Sequence, residues 1–224
     1  MSIVYLSGAV RTELLNVPNT GYMIQPFMGN KPDLSGVLFA VDTGCFAKPE
    51  KYTDRHYLGF LATLRIYQRT CLFATAPDVF GDGPATLAQS LPVLPIIRAM
   101  GYPAALVAQP GLRPDTTPWD EIDCLFVGGP DEWQRSQMVD DLVQMARQRG
   151  IWTHKGRVNS RKRLTEAVIS GYDSADGTFV AFGPDVNIPR VRGWMDALDR
   201  QPMLWNQPAA LHPDGAAERE GSRT

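Results

Sequence analysis

The feature that most constrains the fold is a series of short apolar runs, each of which ends in glycine, proline, aspartate or a polar cluster. The runs are IVYLSG, YMIQPF, VLFAVDTG, CLFATAPD, AALVAQPG, CLFVGGPD, IWTHKGRV and DSADGTFVAF. Each is too short for a helix, and near-continuous apolar strands are typical of parallel sheets that are covered on both faces. The sequence therefore predicts a set of buried parallel strands.

Helical patterns separate the later runs. They lie at residues 53–69, 86–101, 132–150 and 159–171. In the last of these, Ser160 can cap the helix and Gly171 can end it. In the second, Pro92 and Pro95 should break or kink the helix. Strands that alternate with helices indicate right-handed βαβ units around a parallel sheet.

The number of strands and the chain length together favour one closed architecture. About eight such strands in about 200 residues fit a compact (β/α)8 barrel of the TIM type, near the lower size limit of that fold. An open doubly wound sheet is the alternative, but neither a GxGxxG nor a GxxxxGK[ST] motif supports its nucleotide-binding form. We expect one barrel domain over residues 1–205 and a polar, aperiodic tail at 206–224.

The composition of the chain says more about where the protein is located than about what it does. The 22 Lys and Arg residues nearly balance the 24 Asp and Glu residues, so the overall charge indicates no particular partner. The amino-terminal residues lack the pattern of a secretory signal, and no apolar run could span a bilayer, which favours a cytoplasmic protein. Cys45, Cys71 and Cys124 are too widely spaced for a disulfide framework or a zinc motif, so we expect no metal.

Polar groups follow the apolar runs, where the strands should end. They are Asp42, Asp78, Gln109, the pair Gly128 and Gly129, His154 and Asp176. Any one of them has a common structural explanation, such as a turn, a cap or a hydrogen-bonded histidine. In a barrel, however, the carboxyl ends of the strands meet on one face, where active sites lie. We therefore predict that these groups line a single functional cleft.

The tripeptide Asp42-Thr43-Gly44 also occurs around the catalytic carboxylate of aspartic proteases. Those enzymes place two carboxylates that share one proton on a mostly β scaffold. This sequence contains a single Asp-Thr-Gly and alternates strands with helices. We therefore interpret Asp42 as an acid at a barrel strand end, with Thr43 and Gly44 shaping the turn after it.

A basic run follows the seventh strand. The segment HKGRVNSRKR contains Lys155, Arg157, Arg161, Lys162 and Arg163, with Asn159 and Ser160 between them. Such a run is most often a solvated helix face. Beside a helix amino terminus and an acid-lined cleft, however, these side chains suit phosphate oxygens. The run therefore favours a polyanionic substrate whose reacting group enters the cleft.

Taken together, these segments resemble the tRNA-guanine transglycosylase superfamily, and more closely its DpdA branch, which puts 7-deazaguanines into DNA. The resemblance runs from about Tyr5 to Leu198, and its best-matched elements are DTGCF, ATAPDVFGD, LVAQPG, FVGGPDEW, HKGRVNSRKRL and GYDSADGT. It implies a (β/α)8 barrel and a pentosyltransferase that replaces guanine in DNA with a free base such as 7-cyano-7-deazaguanine. It implies no cofactor.

The resemblance also implies a role for each strand-end acid. Asp176 takes the place of the nucleophile, which attacks C1′ of the nucleoside and holds the sugar as an ester. Asp42 takes the place of the general acid and base. Asp78 is expected to accept hydrogen bonds from N1–H and the 2-amino group of guanine.

The remaining strand-end groups are expected to bind the substrate. Gln109, Gly128 and Gly129 should face O6 and the substituent of the five-membered ring, with His154 as a further substrate contact. Contacts to the nucleic acid are expected from Lys155, Arg157, Asn159, Arg161, Lys162 and Arg163. A stacked base must leave the helix to reach such a pocket, so base flipping or a single-stranded target is implied.

Several alternatives stay open. The three cysteines and one histidine that bind zinc near the carboxyl terminus of the tRNA enzymes have no counterpart here. In those enzymes the sequence CVLPTR follows the nucleophile, whereas Gly177 follows Asp176 in this chain. Both differences favour DNA over tRNA as the substrate. Three other functions are possible: a tRNA-directed exchange enzyme, a catalytically silent nucleic-acid-binding barrel, and a lyase or aldolase with Lys155 as a Schiff-base lysine. Asp173 is a second candidate nucleophile, but a strand turns Asp173 and Asp176 to opposite sides. The oligomeric state is not predicted.

Overall fold

The chain folds into a closed barrel of eight parallel strands in the computed structural model, which describes residues 3–29, 32–46 and 48–200. The strands are β1 Val4–Ser7, β2 Thr20–Ile24, β3 Leu38–Val41, β4 Cys71–Thr75, β5 Ala104–Ala108, β6 Cys124–Val127, β7 Trp152–Lys155 and β8 Ser174–Gly177. The first strand pairs with both the second and the eighth, which closes the barrel. The predicted (β/α)8 barrel is confirmed, and the alternative prediction of an open doubly wound sheet is wrong. The predicted tail at 206–224 lies outside the described residues.

Helices surround the barrel. They are α1 Asp54–Thr63, α2 Gly83–Ser90, α3 Leu94–Ala99, α4 Asp131–Gln134, α5 Gln137–Gln148, α6 Arg161–Ile169 and α7 Pro184–Arg200. The break predicted at Pro92 separates α2 from α3. Ser160 caps α6 through its hydroxyl, which accepts the backbone N–H of Arg163 at 3.2 Å. Helix α7 is an addition to the predicted elements, because Pro189 in its second turn obscures the helical period.

The strands divide their side chains between two cores. The larger core lies between the barrel and the helices, whereas a smaller one fills the barrel interior. The interior core consists of Val4, Leu6, Met23, Ala40, Phe73, Ala105, Val107, Cys124 and Phe126. Side chains two residues apart on a strand face the same side. Asp42 and Gln109 therefore continue the interior rows of Ala40 and Val107 at the carboxyl end of the barrel.

The connections are uneven around the barrel. The first strand is linked to the second through a 3-10 helix at Thr12–Asn16, and the described residues between the second and third strands contain no helix, so the described α-helices begin only after β3. The last predicted run is shorter as a strand than expected, because β8 ends at Gly177 and a 3-10 turn at Phe179–Ala181 follows it. Within the described residues, no helix is long and apolar enough to cross a membrane.

Candidate active site

A cavity of about 520 Å³ opens at the carboxyl end of the barrel. Its lining residues are Asp42, Phe46, Asp78, Phe80, Val107, Gln109, Phe126, Gly128, Gly129, Gly156, Arg157 and Asp176. The strand-end residues that the sequence analysis brings to one cleft therefore line this cavity, with the exception of His154. The volume is in the range of about 300–1,000 Å³ that is usual for small-molecule sites.

Five lining residues were not predicted, and a simple signal identifies three of them. Val107, Phe126 and Gly156 each lie two positions from a predicted residue on the same strand, so the period of a strand could have found them. Phe46 and Phe80 lie in loops beyond the strands. Their rings contact each other with centroids 5.1 Å apart, and 69% and 45% of the two residues' surfaces are exposed.

The Asp-Thr-Gly tripeptide forms a tight turn after β3. The Oδ1 atom of Asp42 accepts the backbone N–H of Gly44 at 2.6 Å, and the N–H of Thr43 donates to the hydroxyl of Thr75 at 3.1 Å. Gly44 has a φ of +70°, and a Cβ there would lie 2.8 Å from Oε1 of Gln25. The turn therefore requires glycine at this position, and it fixes the direction of the Asp42 side chain.

The cavity raises the pKa values of two of its acids. Burial, which is the largest cause, and the charges of Asp78 and Asp176 together raise the pKa of Asp42 to about 6, against the lowering effect of the Gly44 N–H. Burial also raises the pKa of Asp78, while its hydrogen bond from Gln109 opposes that rise. An acid with a pKa close to neutral pH can both donate and accept a proton, which is the property that a general acid and base requires.

Gln109 is held in one orientation in the wall of the cavity. Its Nε2 donates to Oδ2 of Asp78 at 2.6 Å, and its Oε1 accepts the backbone N–H of Gly81 at 3.0 Å. Cβ atoms at Gly128 and Gly129 would lie 3.1 Å from Nε2 and 3.0 Å from Oε1 of this amide. The two glycines therefore leave room for the amide, whose second N–H hydrogen has no partner among the described residues.

Asp176 and Asp173 have different surroundings, although they are three positions apart. Asp176 lines the cavity, and its Oδ1 lies 3.0 Å from Nε2 of His154. Asp173 precedes β8 and accepts both the backbone N–H and the hydroxyl of Thr153, at 2.8 and 2.9 Å. Of these two acids, only Asp176 reaches the cavity.

His154 lies one layer below the cavity surface. Its fully buried ring contacts Phe73 and Phe126, with centroid distances of 4.9 and 4.5 Å. The interior row of β7 continues from His154 to Gly156, and it is the glycine that lines the cavity. The predicted substrate contact of His154 is therefore corrected, because its fully buried ring does not line the cavity.

Lys155 faces away from the barrel interior, since it follows the inward His154 on the same strand. It is buried, with its ammonium 5.2 Å from the ring centroid of Tyr172, and burial lowers its pKa. This position corrects its prediction as a phosphate contact. It also removes the basis for a Schiff-base lysine in the cavity.

Two arginines of the basic run are held by the segment that follows β6. The guanidinium of Arg163 donates to Asp131 at 2.9 Å and to Gln134 at 2.7 Å, so the predicted phosphate contact becomes a bond between α6 and α4. Arg157 lines the cavity, has a φ of +64°, and donates to the carbonyl of Gly129 at 3.1 Å. Its side chain is 55% exposed and can reach solvent beside the cavity.

The rest of the basic run divides between structure and surface. Asn159 accepts the backbone N–H of Thr178 at 2.7 Å, which joins the loop after β7 to the loop after β8. Arg161 and Lys162 are exposed in the first turn of α6. Arg157, Arg161 and Lys162 are therefore the cations of the run that a phosphate could approach. Within the described part of the chain, no group of three acidic, cysteine or histidine side chains could hold a metal ion.

Solved structures share the fold of this chain, whereas the sequence comparisons show no family. No protein-family profile matches the chain, and curated proteins give no significant match. A chain of the Amycolatopsis orientalis BexX/CysO complex superimposes with a TM-score of 0.55 and 16% identity, over 91% of this chain and 93% of that one. A ligand-free tryptophan synthase from M. tuberculosis gives 0.53 and 13%, over 88% and 92%.

A weaker likeness links the chain to the Bacillus subtilis YkuI protein, which has an EAL domain. The TM-score is 0.43 with 17% identity, over 75% of this chain and 44% of the YkuI chain. At these identities the stronger neighbours establish a TIM barrel similar to that of tryptophan synthase alpha chains and nothing about the reaction. The resemblance to transglycosylases finds no match in these sequence comparisons.

Proposed function

We propose that this barrel exchanges guanine in DNA for a 7-deazaguanine through a covalent ester between Asp176 and the sugar. The observation that supports this most is that Asp42, Asp78 and Asp176 line one cavity together with the oriented amide of Gln109. A nucleophile, an acid with a pKa near neutral and a set of base-binding groups are the parts that such an exchange needs.

The edge formed by Asp78 and Gln109 is complementary to guanine. A carboxylate can accept hydrogen bonds from both N1–H and the 2-amino group, while the second N–H hydrogen of the Gln109 amide is available for O6. Guanine and 7-deazaguanines share these groups, so one pocket suits both the leaving and the entering base. The exposed rings of Phe46 and Phe80, which are tilted by 38° to each other, offer an apolar surface at the cavity, and a nucleobase can stack on either ring.

The first half of the reaction releases guanine. An oxygen of Asp176 attacks C1′, the bond between C1′ and N9 breaks, and the electron pair of that bond passes to N9. Asp42 supplies the proton that leaves guanine neutral, and the sugar remains bound to Asp176 as an ester. Burial of Asp42 assists this step, because a pKa of about 6 leaves part of the population protonated at neutral pH.

The second half reverses the same steps with a different base. Asp42 removes the N9 proton of the incoming 7-deazaguanine, and N9 attacks C1′ while the bond between C1′ and the Asp176 oxygen breaks. Two displacements at one carbon retain the configuration, as in retaining glycosidases. The nucleic acid continues beyond the cavity, where Arg157, Arg161 and Lys162 are exposed to its phosphates.

The direct test is an incubation of the protein with DNA and 7-cyano-7-deazaguanine, followed by mass spectrometry of the nucleosides. Single-stranded DNA, duplex DNA and tRNA are run in parallel. We expect the deazaguanine nucleoside in DNA, with the single strand modified faster because its bases are not stacked.

The matched control is Asp120→Asn, an exposed aspartate at the other end of the barrel, against Asp176→Asn in the cavity. We expect full activity in Asp120→Asn and none in Asp176→Asn. Insertion into tRNA alone would reassign the substrate. A folded protein that binds the base but releases no guanine from any nucleic acid would mean a silent binding barrel.

A further inference from the structure

A chain of three hydrogen bonds runs through the barrel interior to Asp176. The indole Nε1 of Trp152 donates to Oγ of Ser174 at 2.8 Å, and Nδ1 of His154 lies 2.8 Å from the same oxygen. The opposite ring nitrogen, Nε2, lies 3.0 Å from Oδ1 of Asp176. Both Ser174 and His154 are fully buried.

The chain follows from the pairing of the last two strands. His154 and Ser174 are partners in the register of β7 and β8. Asp176 is the next residue of β8 on the same side as Ser174, because strand side chains alternate with a period of two. The strand pairing therefore stacks the serine beside the histidine and the aspartate above it, towards the cavity.

The hydrogen-bonding capacity of each group determines which atom donates and which accepts in this chain of hydrogen bonds. An indole N–H can only donate, so it occupies one lone pair of the Ser174 oxygen. The hydroxyl hydrogen then needs an acceptor, and Nδ1 of His154 is the one at hydrogen-bonding distance among the described residues. A buried hydroxyl without an acceptor is costly. Nδ1 is therefore the unprotonated nitrogen, and Nε2 carries the proton that is donated to Asp176.

We infer that Trp152, Ser174 and His154 are positioning residues that hold the Asp176 carboxylate for attack. The chain fixes His154 as the Nε2–H tautomer and occupies Oδ1, so Oδ2 is the oxygen left to the cavity. The rings of Phe73 and Phe126 contact the imidazole and restrict its rotation. The consequence for attack on C1′ rests on the proposed function, whereas the tautomer does not.

The tautomer can be measured in the absence of substrate. In protein labelled with 15N-histidine, long-range 1H–15N correlation spectra show which ring nitrogen carries the proton, and His154→Gln identifies the signals of His154. We expect a single Nε2–H tautomer in the wild type, and in Ser174→Ala the same tautomer with the Nδ1 resonance moved downfield, because the unprotonated nitrogen loses its hydroxyl donor while the Asp176 carboxylate still accepts from Nε2–H. A wild-type ring protonated on Nδ1, or an Nδ1 resonance that Ser174→Ala leaves unchanged, would overturn the inference.

The effect on Asp176 is tested with a pair of substitutions at His154. Glutamine places an N–H close to the position of Nε2, whereas phenylalanine keeps the aromatic contacts and removes the donor. We expect His154→Phe to slow formation of the covalent adduct with DNA at least about tenfold, and His154→Gln to stay within about threefold, since misplaced reacting groups lose rate steeply. Binding of 7-cyano-7-deazaguanine should change less than about twofold in both, because base-binding groups are untouched.

Two outcomes would count against the positioning role. The first is a His154→Phe protein that forms the adduct at the wild-type rate. The second is a His154→Phe protein that loses base binding by the same factor as adduct formation. If His154→Phe does not fold, Ser174→Ala, which removes one oxygen, gives the same comparison. If the wild type forms no adduct at all, the proposed function fails, and the tautomer measurement still decides whether the chain exists as described.

Discussion

The two ends of the barrel hold aspartates in opposite kinds of environment. At the amino end, Asp123 and Asp173 immediately precede β6 and β8, and each accepts a backbone N–H of the preceding strand. The acceptor distances are 2.9 Å to Ala104 and 2.8 Å to Thr153. At the carboxyl end, the acids line an open cavity instead. The same residue type therefore ties strands together at one end and is left available to a ligand at the other.

The difference shows how the fold separates stability from chemistry. At the amino end, each carboxylate satisfies a backbone donor that would otherwise lack a partner, which stabilises the native state. At the carboxyl end, burial raises the pKa values of Asp42 and Asp78, so their charged forms destabilise the native state. Acids that cost stability are expected where function requires them.

The largest expected effect separates two aspartates of the same strand region. Asp176→Asn should reduce formation of the covalent DNA adduct by about three orders of magnitude or more, because the nucleophile is lost. Asp173→Asn should leave adduct formation within about threefold, since its carboxylate accepts hydrogen bonds from Thr153 and does not reach the cavity. Denaturing gel electrophoresis of labelled DNA measures both. Adduct formation that survives in Asp176→Asn and disappears in Asp173→Asn would reverse the comparison.

Removal of the general acid should have the next largest effect. Asp42→Asn is expected to slow guanine release by about 10²–10⁴-fold, the usual contribution of proton transfer by a positioned side chain. In the wild type, single-turnover guanine release should fall about tenfold per pH unit above the Asp42 pKa of about 6, because the protonated acid becomes scarce. Quenched-flow measurement of free guanine tests this. A profile that is flat from pH 5 to pH 8 would remove Asp42 from the role.

The ionised side chain of Asp42 should also lower the free energy of unfolding. Its native pKa of about 6 lies above the ordinary value of 3.8, so the penalty is absent below about pH 4 and complete above about pH 6. Asp42→Asn should therefore raise the free energy of unfolding by about 1–3 kcal/mol at pH 8, with the gain shrinking as the pH falls from 6 to 4.

Asp173, at the amino end of the barrel, should have the opposite effect on the free energy of unfolding. Asp173→Ala should lower the free energy of unfolding by about 1–3 kcal/mol at pH 7, because it leaves donors of Thr153 without their acceptor. Urea titrations monitored by circular dichroism measure both variants. If both substitutions changed stability in the same direction at pH 8, the two ends would not differ as described.

The smallest expected effect concerns the basic run. Lys162→Ala should weaken DNA binding and reduce the slope of log affinity against log salt concentration by about one, as the loss of one phosphate contact does. Lys155→Met is the control, because its ammonium lies over the Tyr172 ring and away from the surface. Fluorescence anisotropy over a salt series compares them. A larger loss of affinity in Lys155→Met would place the nucleic acid elsewhere.

Much of the fold and part of the site could be predicted because both follow from the ends of strands. Alternating apolar runs and helical patterns are local signals, and the carboxyl ends of parallel strands must converge. The sequence therefore predicts that Asp42, Asp78, Gln109 and Asp176 lie in one cleft, and all four line the cavity. It also predicts the break between α2 and α3 at Pro92, since proline removes a helical hydrogen bond.

The remainder depended on the phase of each strand and on contacts distant in sequence. A period of two does not say which of two neighbouring residues faces inward. The sequence therefore predicts both His154 and Lys155 as site residues, although neither lines the cavity. Arg163 finds Asp131 thirty-two positions away, a contact that no local pattern indicates. The link from Trp152 to Ser174 likewise exists only once β7 and β8 are paired.

The role of Asp176 as the nucleophile is tested most directly by identifying the residue that becomes attached to DNA. The wild-type protein is incubated with DNA without an incoming base, denatured and digested, and the modified peptide is sequenced by mass spectrometry. We expect a sugar ester on Asp176, with an equivalent amount of guanine released. A modification on Asp173 or any other residue, or guanine release with no attached residue, would contradict that role.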